Sequence, residues 1–166
     1  MIGMGEEEKV TILEENMGTQ PNNEQVEGNK QIVREIMASI NSGDDSGLLA
    51  KLSPNYVRHC QAMPTELQEI QGPEMMVAWL AGNRATFPDY REEIEWLGGE
   101  GDFVAWRSRG HGTMRGAMGP FPATGKTMEL VIIGVHRFED GKLAETWTSW
   151  DNLAALTQLG LMPSGS

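Results

Sequence analysis

Hydrophobic positions along this chain change period once, and the change separates a helical first half from a stranded second half. Ile32, Val33, Ile36, Met37 and Ile40 recur at helical spacing, which predicts an amphipathic helix from Asn29. Asn41, Ser42 and Gly43 stop it. Leu48, Leu49 and Leu52 form the stripe of a second, short helix, capped by Asp44 or Asp45 and ended by Pro54. Asn55 to Cys60 reads as a short strand. Gly72-Pro73-Glu74 opens a third helix, with proline in the first turn and an acid at the positive end of the dipole. Met76, Trp79, Leu80 and Asn83 share one face of it, and Pro88 ends it. Beyond this point the period is two. Tyr90 to Leu97, Phe103 to Thr113, Thr127 to Phe138 and Leu143 to Trp150 read as strands. They are separated by Gly98-Gly99-Glu100-Gly101-Asp102, a Gly- and Pro-rich loop from Gly116 to Gly125, and Glu139-Asp140-Gly141-Lys142. Asp151 caps a final helix carrying Leu153, Leu156 and Leu159 that ends at Gly160. Helices followed by consecutive antiparallel strands define an α+β order. Strands this long imply a strongly curved sheet wrapped around the helices, a cone with a pocket inside.

Strand parity then assigns faces. A three-residue loop Glu139-Asp140-Gly141 would pair Phe138 with Lys142, His136 with Ala144, Gly134 with Thr146 and Ile132 with Thr148. His136, Thr146, Thr148 and Trp150 then share one face, whose mixture of apolar bulk, imidazole and hydroxyls suits a small-molecule pocket. Arg137, Glu145 and Trp147 share the other, with Arg137 and Glu145 as diagonal neighbours able to pair. On the strand from Phe103, Arg107, Arg109, His111 and Thr113 lie on one side and Trp106 on the other. Two readings of the arginines stay open. They either face a pocket and meet an anionic or carbonyl-bearing ligand, or form a solvated face with counter-charges from Glu92, Glu93 or Glu95.

Composition bounds the chemistry. The 166 residues suit one domain, and 39% apolar with 22% charged residues is a globular mixture. No run approaches the ~18 consecutive apolar residues of a membrane-crossing helix, and MIGMGEEEKV carries no secretory pattern. The reading is therefore a cytoplasmic, soluble domain. A lone Cys60 excludes a disulfide framework. The net charge of −11 argues against nucleic acid and anionic membrane as partners. Much of that charge is local, because Met1 to Gly28 holds seven Glu against one Lys. Residues 1–28 read as a disordered acidic extension in which Val10, Ile12 and Leu13 are able to dock as a short strand or turn. The domain proper is 29–163, followed by a 164–166 tail.

The three histidines, His59, His111 and His136, fall on different strands with no metal-ligand spacing, so no metal site is expected. Ala123-Thr124-Gly125-Lys126 lacks the spacing of a phosphate-binding loop. Asp151 is explained by capping before it is needed as an acid. The eleven methionines and five tryptophans read as core.

An ordered set of motifs carries a resemblance. It comprises Gly112-Thr113-Met114-Arg115-Gly116, Pro122-Ala123-Thr124-Gly125-Lys126, the run Val135 to Glu145, Trp147, Trp150-Asp151 and Gln158-Leu159-Gly160. Tyr56, His59 and Gly72 fit the same layout upstream. Together they resemble the SnoaL-like polyketide cyclases, also called ester cyclases, over roughly Asn29 to Pro163. The resemblance implies a cystatin-like α+β cone, the fold of nuclear transport factor two and ketosteroid isomerase, and a homodimer formed through the sheet. It also implies cofactor-free closure of a polyketide ring, with a residue removing a proton beside a carbonyl while the pocket stabilises the enolate. Cyclases of this kind commonly carry His-Trp-Asp in the last strand, with the Asp as acid–base residue. Here the run is Thr146-Trp147-Thr148, and Met114 stands where a His often follows the Gly-Thr pair. A neutral threonine hydroxyl is no base near neutral pH without activation.

The expected function is thus a cofactor-free enzyme acting on a small hydrophobic carbonyl-bearing molecule. His136 or His59 would transfer protons. Thr146, Thr148, Trp150, Tyr56, His111 and Arg107 would contact substrate. An acid from elsewhere, such as Glu66, Glu69 or Asp89, is the other source of a pocket carboxylate. Two rival readings are a non-catalytic protein binding a small hydrophobic ligand on the same scaffold, and an interaction protein whose acidic tail recruits a partner.

Overall fold

The computed structural model describes residues 23–162. Residues 1–22, with Val10, Ile12 and Leu13, and residues 163–166 lie outside the described residues. Helix α1 spans Asn23–Ser42. It starts six residues before the expected Asn29 because Val26 and Asn29 extend its buried stripe back from Val33 and Ile36.

Helix α2 (Asp45–Leu49) begins where Asp44 accepts a bond from the Gly47 amide at 3.0 Å. Strand β1 (Leu52–His59) is followed by a 3₁₀ turn (Thr65–Leu67) and a short β2 (Glu69–Gln71). Helix α3 (Pro73–Thr86) has proline in its first turn. Long strands follow: β3 (Arg91–Glu100), β4 (Phe103–Thr113), β5 (Thr127–Glu139) and β6 (Lys142–Trp150). Helix α4 (Asn152–Gln158) closes the chain, its first turn capped by Asp151 through the Ala154 amide at 2.9 Å.

The six strands form one sheet in the order β2-β1-β6-β5-β4-β3. All neighbours are antiparallel except β1 and β6, which pair in parallel. Consecutive antiparallel pairing therefore holds for β1–β2 and from β3 to β6, and the first strand crosses back to flank the last. Register shifts interrupt β3 between Ile94 and Trp96 and β5 between Arg137 and Phe138. Such bulges add twist and curl the sheet.

The β5–β6 turn also departs from expectation. Glu139 pairs with Lys142, so the loop is the two residues Asp140-Gly141, both at positive φ (50° and 70°), as a type I′ turn requires. The irregularity beyond it brings His136 opposite Thr146 and Gly134 opposite Thr148. The register moves by two residues, so the faces are those expected while the partners are not.

Core packing splits into two clusters on the concave side. One joins α1 and α3 to β1, β4 and the β5–β6 turn through Val33, Ile36, Leu80, Tyr56 and Phe138. The other joins β4 and β5 to α4 through Trp106, Leu130, Ile132 and Leu159.

Candidate functional site

A cavity of about 800 Å³ lies within the concave side, walled by α1, α2, α3, α4, the loops after β1 and β4 and the inward residues of β1 and β3–β6. That volume is in the range of small-molecule sites, which are mostly apolar with a few convergent polar groups. Three such groups enter here.

The first is built on β5 and β6. His136 points inward, 8% exposed, and its Nδ1 lies 2.9 Å from the Thr146 hydroxyl. Tyr56 of β1 donates its hydroxyl to the same Thr146 Oγ1 at 3.0 Å. Trp106 lies flat on the imidazole, with centroids 4.0 Å apart and planes 7° from parallel. That stacking needs Gly134, because a Cβ there would sit 2.2 Å from the Trp106 ring and 2.4 Å from the Trp147 carbonyl oxygen. Burial lowers the His136 pKa to about 3 and pushes Tyr56 up to about 12. The Tyr56–Thr146–His136 chain is therefore neutral at neutral pH. Since Tyr56 donates to Thr146, the Thr146 proton is free to bond Nδ1, an arrangement that puts the ring proton on Nε2.

The second group is a carboxylate. Glu92 of β3 lines the cavity. Ser108, fully buried on β4, donates to one of its oxygens at 2.5 Å, and Tyr90 donates to the other at 2.9 Å. Asn41, in the last turn of α1, clamps the Glu92 backbone through both its N–H (2.9 Å) and its carbonyl (2.8 Å). Burial, with Glu92 close by, holds the Tyr90 phenol well above its usual range, so it stays a donor.

The third is Arg58 of β1, 4% exposed, whose guanidinium carbon lies 4.4 Å from the Trp79 ring centre and 5.9 Å from that of Trp150. It lines the same cavity.

Five expected residues come together here: His136, Thr146, Thr148, Trp150 and Tyr56 all line the cavity. Three do not. His59 is an odd number of residues from Tyr56 on one strand, so it emerges on the opposite face. There it stacks on Trp147 (5.6 Å) and bonds Glu145 (2.9 Å), with Glu69 at 3.6 Å. Desolvation would raise the Glu145 pKa, but hydrogen bonds from His59 and Arg137 outweigh it and lower the value. Arg107 and His111 follow Arg109 on the outer face of β4, since Trp106 and Ser108 take the inner one. Arg107 pairs with Glu95, and Arg109 bridges Glu95 (3.0 Å) and Glu129 (2.6 Å). This is the solvated-face alternative.

Glu66 is exposed, Glu69 stands by His59, and Asp89 accepts from Thr113 at 2.7–2.8 Å. The cavity carboxylate is Glu92 instead. Arg58, Tyr90, Glu92 and Ser108 were missed, although parity offered a signal: Arg58 is two residues from Tyr56 and Ser108 two from Trp106. Among the described residues no group of three or more His, Cys, Asp or Glu is placed to hold a metal ion.

A curved α+β cone closed over an apolar cavity with inward imidazole, carboxylate and guanidinium groups has the architecture of the nuclear-transport-factor-two fold. The profile of the SnoaL-like polyketide cyclases matches residues 30–159, and the chain belongs to that family.

Solved structures agree. AclR of Streptomyces galilaeus, a candidate hydroxylase, is 28% identical, superposes with a TM-score of 0.71 and is matched over 83% of this chain and 88% of its own. IdmH of Streptomyces antibioticus, a candidate polyketide cyclase, is 28% identical with a TM-score of 0.69, over 80% and 98%. TsrD of Streptomyces laurentii is 27% identical with a TM-score of 0.71, over 81% and 96%. No curated protein matches the sequence. Among the described residues no helix is long and apolar enough to cross a membrane.

Proposed function

We propose that this protein is an enzyme that moves a proton on a hydrophobic, carbonyl-bearing, polyketide-like molecule held in the cavity, leading to aldol-type cyclisation or isomerisation. The observation that carries this reading is Glu92. It supplies a carboxylate at the cavity wall although Thr148 occupies the position where related cyclases carry Asp.

The roles divide by protonation state. Glu92 takes the proton next to the carbonyl, because each of its oxygens keeps a lone pair beyond the Ser108 or Tyr90 bond. Neutral His136, oriented by Thr146, donates from Nε2 to the carbonyl oxygen as charge develops there. An imidazole with a pKa near 3 is a poor proton acceptor, so His136 is assigned the donor role and not the base. Thr148, Trp150 and Tyr56 shape the wall. In a cyclisation the carbanion carbon then forms a bond to the carbon of a second carbonyl in the same chain, whose oxygen takes back the proton held by Glu92; loss of that hydroxyl together with a remaining proton of the attacking carbon releases water.

The test is incubation with a panel of hydrophobic linear poly-β-ketone and bicyclic ketone compounds, with products followed by liquid chromatography and mass spectrometry. Loss of one water, or a change in retention at constant mass, is expected. Recovery of every compound unchanged, though bound, would assign the protein to ligand binding without chemistry.

A further inference from the structure

The cavity contains a charge that the proposed chemistry does not use. Arg58 lies on the concave face of β1, in line with Tyr56 and Cys60, which are among the most buried residues of the chain. Packing alone does not require an arginine there; an unbranched apolar side chain would fill the same space without a desolvated charge. Its Nη1 is buried and has no hydrogen-bond partner. The arginines that form ion pairs among the described residues are Arg84, Arg107, Arg109 and Arg137, and Arg58 is not one of them. The other charge of the cavity wall, Glu92, accepts one bond on each oxygen, from Ser108 and from Tyr90, and forms no ion pair with Arg58. Trp79 and Trp150 offset part of the desolvation through their ring faces. A ring face does not satisfy the in-plane N–H groups of a guanidinium.

We infer that the molecule bound in this cavity carries a carboxylate, which docks on the in-plane N–H groups of Arg58 while its apolar body fills the remaining space. This rests on the cavity being the ligand site, as proposed above. A guanidinium offers a planar fork of N–H donors that a carboxylate meets with two parallel bonds. A phosphate monoester fits less well, because its larger charge calls for further donors and the surrounding wall is apolar. Arg58 is therefore a specificity-determining residue, and the substrate is a hydrophobic keto acid and not its ester or amide.

Matched pairs test this directly. Naphthalene-2-carboxylate and its methyl ester, and decanoate and methyl decanoate, are titrated at neutral pH, with quenching of tryptophan fluorescence or calorimetry as the readout. The wild-type protein is expected to bind each acid at least tenfold more tightly than its ester. Arg58→Met, which keeps the length and removes the charge, should bind the ester as before and lose the preference. Ester affinity in that variant also shows that the pocket is folded. Arg58→Lys should keep a reduced preference, since it retains charge without the fork. Equal affinity for acid and ester in the wild type, or an undiminished preference in Arg58→Met, would overturn the assignment while leaving the cavity as the ligand site. Failure of both members of both pairs to bind the wild type would overturn the cavity reading and this inference with it.

Discussion

His136 shows how one buried side chain links chemistry to stability. Stacked on Trp106 and 8% exposed, it titrates near 3 in the folded protein against an ordinary value of 6.5, because burial disfavours the imidazolium. Its folded pKa lies below its unfolded one, so between these values the unfolded chain binds more protons. The contribution to stability is fully present above pH 6.5 and is lost as pH falls towards 3, by at most about 1.4 kcal/mol per pH unit. His136→Phe should remove that component, leaving a shallower acid limb in denaturation curves from pH 6.5 to 4. An unchanged limb would show that His136 is not desolvated as described. The sequence marked His136 and Thr146 as pocket residues because alternation alone places them on one face. It gave no hint that the imidazole would be neutral, since that depends on Trp106 lying against it across the sheet. For Arg58 and Glu92, the charge itself obscured the reading. A charged residue in a strand is read as facing water, and only the packed structure shows these two facing inward.

At the scale of elements, parity was legible and pairing was not. Faces along β4, β5 and β6 follow from period two and survive a register error of two residues. The two-residue Asp140-Gly141 turn, the irregularity at Arg137 and the parallel return of β1 to β6 come from long-range pairing that no local pattern encodes. His59 was misplaced for a related reason, because it was grouped with Tyr56 despite an odd separation on a single strand. Gly134 is a position where an element's backbone builds the site. Gly134→Ala would drive a methyl group into the Trp106 ring and the Trp147 carbonyl, so the β5–β6 ladder or the Trp106–His136 stack has to move. A destabilisation of about 1–3 kcal/mol is expected in urea denaturation, together with weaker ligand binding. A variant of wild-type stability and affinity would mean that Trp106 swings aside freely and that its stacking on His136 positions nothing. The Asn41 clamp belongs to the same scale, since it fixes the start of β3 against α1 and so sets where Glu92 enters the cavity.

For the whole molecule, the fold family was readable from ordered motifs over four fifths of the chain, and both the family profile and the superposed structures agree with it. The site was readable in part, because one scaffold hosts many activities and the polar groups that distinguish them are few and scattered across strands. In this chain the cone holds an apolar cavity lined by Thr146 and Thr148, and a carboxylate, Glu92, enters it from β3 as the proton acceptor proposed above. The most direct measurement of that claim is hydrogen–deuterium exchange at the carbon beside the carbonyl of a hydrophobic ketone, 2-tetralone, followed by proton NMR in D₂O. The wild-type protein should accelerate exchange above the buffer rate. Glu92→Gln should lose on the order of a hundredfold of that acceleration while remaining folded and keeping its affinity for the ketone. Wild-type exchange at the buffer rate, or full acceleration in folded Glu92→Gln, would contradict Glu92 as the proton acceptor.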